Sequence, residues 1–318
     1  KMSHEVETMA YANQVPWHGL GARVDQDVSI EEMLEAAGLN WHLDKLPLVA
    51  QLPDGGELPI DDKFALTRNT DNKVMSVCSK AWTPFQPEET IGFMREYVEA
   101  GGAKLETAGS LRGGRTVWGL AKLDHTFSVS KGDDVDGYLL ITSPMEVGRS
   151  TQIRTTTVRV VCANTLAMAE GSSDLNYTQN HLTEFDVVAA KEKVGEAHEH
   201  LVQAEKRFKT IAKMKIDIET AVREVIVPTI MPKVAESEAY ADIMLPEAQP
   251  KVLSQIIDSI NNAPGATPGT GWGVLNGVTH WGDHVAGNRA ASRMNRAWNA
   301  DIARNKVDVE AKLFEMAA

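Results

Sequence analysis

The chain has 318 residues, 43% of them hydrophobic and 24% charged, which is the composition of a folded globular protein. No stretch approaches the ~18 uninterrupted apolar residues that a membrane helix needs, and no basic run leads into an apolar leader, so neither a membrane span nor a secretory signal is expected. Two cysteines, Cys78 and Cys162, are too few for a disulfide scaffold and fit a reducing compartment, while the net charge of −12 argues at first sight against a polyanionic partner.

The opening segment, Val15-Pro16-Trp17-His18-Gly19-Leu20-Gly21, is turn-rich. It leads into a helix over 29–37, with Ser29 placed to cap it, Glu32 at the capping-box position and Gly38 just past the end. Asp54-Gly55-Gly56 marks a surface turn. Residues 64–70 and 73–81 read as a hairpin about Asp71-Asn72. Pro87 then opens a helix with Glu88 and Glu89 in its first turn, Ile91, Met94 and Val98 on one face, and Gly101-Gly102 as its stop. A strand over 104–108 precedes three more, at 115–123 after Gly113-Gly114, at 137–142, and at 151–161. A helix at 163–170 closes the run before a loop over 171–183. The expected class is α+β, an antiparallel sheet core with β-β-β-α order and helices behind it.

The remainder is expected to be helical. Val194, Leu201, Phe208, Lys215 and Val222 recur every seventh position, and Ala197, Ala204, Ile211, Ile218 and Val225 follow three positions later. That pattern predicts one long amphipathic helix of about forty residues with a narrow apolar seam, ended by Pro228. Pro232, Pro246 and Pro250 interrupt the next stretch, residues 261–271 read as a linker or ordered loop, and a last helix runs from about Trp272 past Asn305. The expected organisation is an N-terminal extension (1–60), an α+β core (61–182), a helical segment (183–260) and an arginine-striped C-terminal helix (261–318).

Charge is unevenly spread. Residues 1–110 hold 9 basic and 18 acidic side chains, whereas residues 261–318 hold 6 and 5. Arg149, Arg154 and Arg159 stand in a stretch without acids, and Arg112 and Arg115 flank Gly113-Gly114. Arg289, Arg293 and Arg296, spaced by four and three, form one helical stripe opposite Met294, Trp298 and Ile302. Guanidinium forks in such arrays suit phosphate oxygens, and the competing assignment is a solvated charged face. His280 and His284 are spaced as a metal pair with Asp283 between them, but Trp281 occupies the general-base position and no third ligand is evident, so no metal is expected. Cys162 has no nearby His or Asp and reads as a core cysteine. No phosphate-binding glycine loop, dinucleotide fingerprint or C-x-x-C occurs, so no cofactor is expected.

Several motifs together resemble the phage and plasmid-borne family classed as domain of unknown function 932. They are Pro16-Trp17-His18-Gly19-Leu20-Gly21, Gly113-Gly114-Arg115 before a Val-Trp strand, the run Val158 to Leu166 (Val-Arg-Val-Val-Cys-Ala-Asn-Thr-Leu), and Trp272 to Thr279 followed by Asp283-His284. The resemblance implies a protein acting in the host bacterial cytoplasm and assigns no activity. Two departures, Ser143-Pro144-Met145-Glu146-Val147-Gly148 where relatives carry a Ser-His-Asp-Gly run and His280 in place of an acid, lower the expectation of catalysis.

The β-β-β-α order also resembles the core of single-strand annealing proteins of the Rad52, Redβ and RecT type, an analogy at the level of fold. It implies a homo-oligomer, joined through the long helix, that holds single-stranded nucleic acid by its phosphates without cofactor chemistry. The expected contacts are Arg112, Arg115, Arg149, Arg154, Arg159, Arg289, Arg293 and Arg296. The alternative is an enzyme in which Asn164, Thr165, Asn276, Thr279, His280, Asp283 and His284 converge. A further alternative is an assembly or host-interaction protein built on the long helix.

Overall fold

The computed structural model describes residues 5–16, 18–99, 102–130, 133–157, 160, 169, 175–183, 186, 188–190, 192, 197–263, 266–286 and 300–318. The fold is α+β, with two sheets in the first half and helices in the second. The larger sheet has seven strands: β1 (Val6–Tyr11), β2 (Ala22–Arg23), β6 (Ala103–Leu111), β7 (Thr116–Ser130), β8 (Asp133–Pro144), β9 (Thr151–Thr156) and β10 (Leu175–Gln179). Their order is β10-β9-β8-β7-β6-β1-β2, antiparallel at every step except β1 with β2. The smaller sheet is the meander β3 (Leu43–Gln51), β4 (Glu57–Arg68) and β5 (Lys73–Ser79).

The central strands are apolar on both faces because both faces are covered. Val117, Ala121, Leu139 and Ile141 point to one side, into a core shared with α1 (Ile30–Ala36), α2 (Pro87–Gly92) and the inner face of the small sheet. Trp118, Leu120, Tyr138 and Leu140 point to the other side and meet Val6, Met9 and Tyr11. The α1 cap forms as its sequence dictates: Ser29 Oγ accepts from the Glu32 amide, and the Glu32 carboxylate accepts from the Ser29 amide at 3.0 Å. A third core is helical, and the far end of the β7–β8 hairpin reaches into it through Phe127, which lies 6.2 Å from the ring of Phe208.

Three expectations are corrected. The boundary after residue 60 falls inside β4, and residues 1–60 contribute β1, which pairs with β6, and β3, which pairs with β4. The turn-rich composition of that segment conceals strands because Pro47, Pro53 and Pro59 interrupt the alternation on which strand recognition depends.

The forty-residue helix is two helices. α4 (Ala197–Lys213, after α3 at Arg95–Glu99) stops where Lys215 pairs with Thr270 and Ile216 donates to the Gly269 carbonyl at 3.2 Å. Asp217 then caps a new helix, accepting from the Thr220 amide at 2.8 Å. This second helix, α5, runs through Ile218–Thr220, Ala221–Ile226 and Val227–Ile230. Pro228 does not end it, because the preceding turn widens to π geometry and the Val227 amide reaches back to the Val222 carbonyl. The predicted seam is spent inside the molecule: Leu201, Phe208 and Ile211 are buried.

The last helix is likewise interrupted. α6 (Lys251–Asn262) packs on α7 (Gly271–His280), which continues as a π turn (Trp281–Val285) and ends where Ala286 takes an extended conformation. α8 (Ala300–Ala317) then packs against α4 and α7. The helix expected at 163–170 lies outside the described residues apart from Ala169.

Candidate functional site

Three chain segments converge at the end of the large sheet where β6 turns into β7. The turn Arg112-Gly113-Gly114 has positive φ at every residue (54°, 68° and 85°), which is why two glycines stand there. Lys73, at the start of β5, donates to the Gly113 carbonyl at 2.7 Å. The β8–β9 connection joins them: the Met145 amide donates to the Arg115 carbonyl at 3.0 Å and the Val147 amide to Ser76 Oγ at 3.3 Å. Arg112, Arg115 and Lys73 therefore share one rim, and the exposed Arg149 follows two residues after Val147 in the connection that borders it.

Carboxylates balance this rim. Arg112 pairs with Glu5 at 3.3 Å, and Arg115 pairs with Glu146 at 2.8 Å while also donating to the Met75 carbonyl. Beneath them Arg68, on β4, makes two bonds to Glu7 (3.0 and 3.1 Å) and two to Asp71 (2.9 and 2.6 Å), with its guanidinium 5.4 Å from the centre of the Trp41 ring. The hydrogen bond from Arg68 holds the Asp71 carboxyl down at about 2. Arg68 thus ties the small sheet to β1 of the large one.

The other predicted contacts divide into two groups. Arg154 is on β9 but only 4% exposed, donating to the Gln152 side chain, so it belongs to the interior rather than to a groove. Strand parity alone cannot reveal this, since both faces of β9 are covered. Arg159, Arg289, Arg293 and Arg296 lie outside the described residues, as do Asn164 and Thr165.

The C-terminal motif serves packing where it is described. Thr270 caps α7 through the Gly273 amide, and Gly273 and Gly277 sit where a Cβ would meet Thr267 and Ile260 within 2.4 Å. His280 Nδ1 lies 3.2 Å from Ser259 Oγ, and Trp281 donates to Gln255 at 3.4 Å, so both clamp α7 to α6. Asn276 and Thr279 are half-buried on the same helix, and the side chains of Asp283 and His284 are outside the described set. Among the described residues no three His, Cys, Asp or Glu side chains stand close enough to hold a metal.

Two features escaped sequence reasoning. At the opposite end of β6 and β7, an open cavity of about 640 Å³ is bordered by Asn13, Glu106, Lys122, Asp136 and Tyr138. Register shifts place it: Glu106 is the extra residue of a bulge in β6, and residues 123–125 bulge opposite Gly137. Glu106 is buried and accepts from Asn13 at 2.5 Å. Burial pushes the Asp136 carboxyl up, but Lys122 and Thr126 outweigh it and leave the carboxyl below its ordinary range.

The second feature is a buried relay from Ser143 to Thr151 (3.0 Å) and on to His181 Nε2 (3.4 Å). His181 Nδ1 faces the Thr83 carbonyl at 3.0 Å, so Nδ1 carries the proton, and the ring stacks on Trp82 at 4.6 Å. Burial pushes this imidazole down and keeps it neutral. Ser143, Thr151 and His181 are all at least nine-tenths buried, which makes this a packing network without access for a substrate.

A family model described as "Domain of unknown function (DUF932)" matches residues 74–306. The chain belongs to this family. No curated protein and no solved structure matches the chain. The DUF932 match begins in β5 and ends in α8, so it takes in Arg112, Arg115 and Arg149 but none of β1 to β4. No helix among the described residues is long and apolar enough to cross a membrane.

Proposed function

We propose that this DUF932 protein binds single-stranded nucleic acid by its phosphates, as an annealing or strand-binding protein of a phage or plasmid acting in the host cytoplasm. The observation that carries the proposal is the convergence of Arg112, Arg115 and Lys73 with the connection that carries the exposed Arg149, three segments brought together at one rim. The carboxylate partners Glu5 and Glu146 hold the forks in place, and phosphate oxygens present the same acceptor geometry to them. A backbone-tracking mode of this kind needs no cofactor. It needs a local surplus of donors rather than a positive total charge. Arg154 takes no part in it, because it is buried. The enzyme alternative at Asn276–His284 has less support, since His280 and Trp281 are engaged in holding α7 to α6.

Fluorescence anisotropy of a labelled single-stranded oligonucleotide across a salt series tests the proposal. Log affinity should fall linearly with log salt, with a slope of about −0.7 per phosphate contact. Replacing Arg112 by Asn, which tolerates the positive φ, together with Arg149→Ala should flatten the slope by about 1.4. Absence of binding at low salt, or an unchanged slope in the double variant, would sink it.

A further inference from the structure

The two arginines at the β6–β7 turn use different edges of their guanidinium groups. Arg115 is held through Nη1, which donates both to the Met75 carbonyl of β5 and to Glu146 Oε2, the latter at 2.8 Å. It makes no other hydrogen bond among the described residues, so Nε and Nη2 are uncommitted. Neither nitrogen is sealed from solvent, and the side chain as a whole is 37% exposed. Together they form the side edge of the fork, whose parallel N–H groups match two oxygens of one carboxylate or phosphate. Arg112 instead meets Glu5 through Nε at 3.3 Å, so its side edge is already engaged.

The partner that holds Nη1 is itself fixed. Glu146 stands between two anchored peptides, the Met145 amide on the Arg115 carbonyl at 3.0 Å and the Val147 amide on Ser76 Oγ at 3.3 Å. A fork clamped from behind in this way loses little side-chain freedom when a ligand arrives at its front. Tying β5 to the β8–β9 connection needs only Nη1, and the side edge has no part in that task.

Building on the strand-binding function proposed for this rim, we propose that Arg115 is its bidentate phosphate contact and that Glu146 is the residue that positions it. The two non-bridging oxygens of one phosphodiester accept from Nε and Nη2, while Nη1 stays on Glu146 and the Met75 carbonyl. Arg112 then contributes charge to the rim and leaves the paired grip to Arg115. The Glu146 carboxylate has two opposed effects on a bound phosphate: it orients the fork, and its negative charge repels the ligand. A glutamine separates them, because it keeps an acceptor oxygen and drops the charge.

The test is a titration of a labelled single-stranded oligonucleotide, followed by anisotropy across a salt series, with the wild type, Arg115→Lys, Glu146→Gln and Glu146→Ala. Arg115→Lys keeps the charge and loses the side edge. Its slope of log affinity on log salt should match the wild type, while affinity at each salt falls about tenfold, the worth of one charge-assisted hydrogen bond. Glu146→Gln should bind at least as tightly as the wild type, and Glu146→Ala should bind about threefold or more weakly than Glu146→Gln, because its fork must be ordered on binding. A purely structural Glu146 would shift the melting temperatures of the two variants and leave their affinities equal. Wild-type affinity in Arg115→Lys, or equal tightening in both Glu146 variants, would overturn the proposal and leave strand binding standing. A wild type that binds no strand at low salt would overturn strand binding itself, and this assignment with it.

Discussion

Replacing Arg68 by Met removes the charged joint between the two sheets while keeping an unbranched apolar stem. The Arg68 side chain is 10% exposed and its partner Glu7 25%, so the pair is mostly withdrawn from water. Breaking a fully buried pair costs about 3–5 kcal/mol, and the residual exposure of Glu7 and its remaining bond to Ser110 reduce this to roughly 2–3 kcal/mol. The contact of the guanidinium with Trp41 adds about 0.5–1 kcal/mol. The bond to Asp71 is half in solvent and is screened, so it is left out of the sum. Urea unfolding followed by circular dichroism should therefore show a loss of about 2–4 kcal/mol, with amide exchange accelerating first in β4 and β5. A cycle with Glu7→Gln isolates the pair, and its coupling should be about 1–2 kcal/mol. The acid limb carries a second signature. Arg68 lowers the Asp71 carboxyl from 3.8 to about 2, so its contribution is present above pH ~4 and is lost as the pH falls through 2, and Arg68→Met should remove that dependence. A loss below about 1 kcal/mol, or a coupling indistinguishable from zero, would refute this account of how the sheets are joined.

Two further outcomes follow from the same architecture. Gly114→Ala places a Cβ 2.7 Å from Arg68 Nη1 and 2.9 Å from the Met75 terminal methyl at a φ of +85°, so it should destabilise by about 2 kcal/mol, and a thermally neutral substitution would contradict the turn geometry. His181 is depressed by burial, so the unfolded chain takes up a proton near 6.5 that the folded chain refuses, and stability should fall as pH drops below that value. His181→Asn should remove this part of the pH dependence, whereas an identical profile in the variant would assign it to another group.

Local chemistry made much of the fold legible. The Ser29–Glu32 box, Pro87 at the start of α2, the Asp71-Asn72 turn and the four strands from Ala103 to Thr156 were all readable, since each is decided by a few adjacent residues. The long helix was misread because heptad spacing is the same whether the seam meets another chain or its own sheet. Its break at Lys215–Ile216 depends on Gly269 and Thr270, more than fifty residues away. The arginines were found in sequence, but their roles were not. Arg154 lies inside because β9 is covered on both faces, and Lys73 becomes part of the rim only when β5 is laid beside the β6–β7 turn. The cavity at Glu106 was invisible for a related reason, since a bulge is a mismatch between two strands and no single strand records it.

The ribbon is where pattern and burial disagree most. Leu46-Pro47-Leu48-Val49-Ala50 is a continuous apolar run, which in a strand signals cover on both faces. The inner side of the small sheet is covered by the core that holds Leu39, Trp41 and Met94, whereas on the outer side only Ala65 and Thr67 of the middle strand are buried, and Leu46, Val74 and Val77 beside them and Leu58 and Ile60 on the arm stay exposed. Edge strands with exposed apolar faces invite indiscriminate pairing, and the usual safeguards are charges and bulges beside them. Both safeguards are here: Asp61, Asp62 and Lys63 fill a bulge in β4 where Asp62 takes a φ of +57°. Those residues limit which surfaces can approach without removing the apolar face itself. The exposed aliphatic side chains therefore stand around a buried middle, Ala65 and Thr67, and the bulge keeps the edge of the arm from pairing indiscriminately.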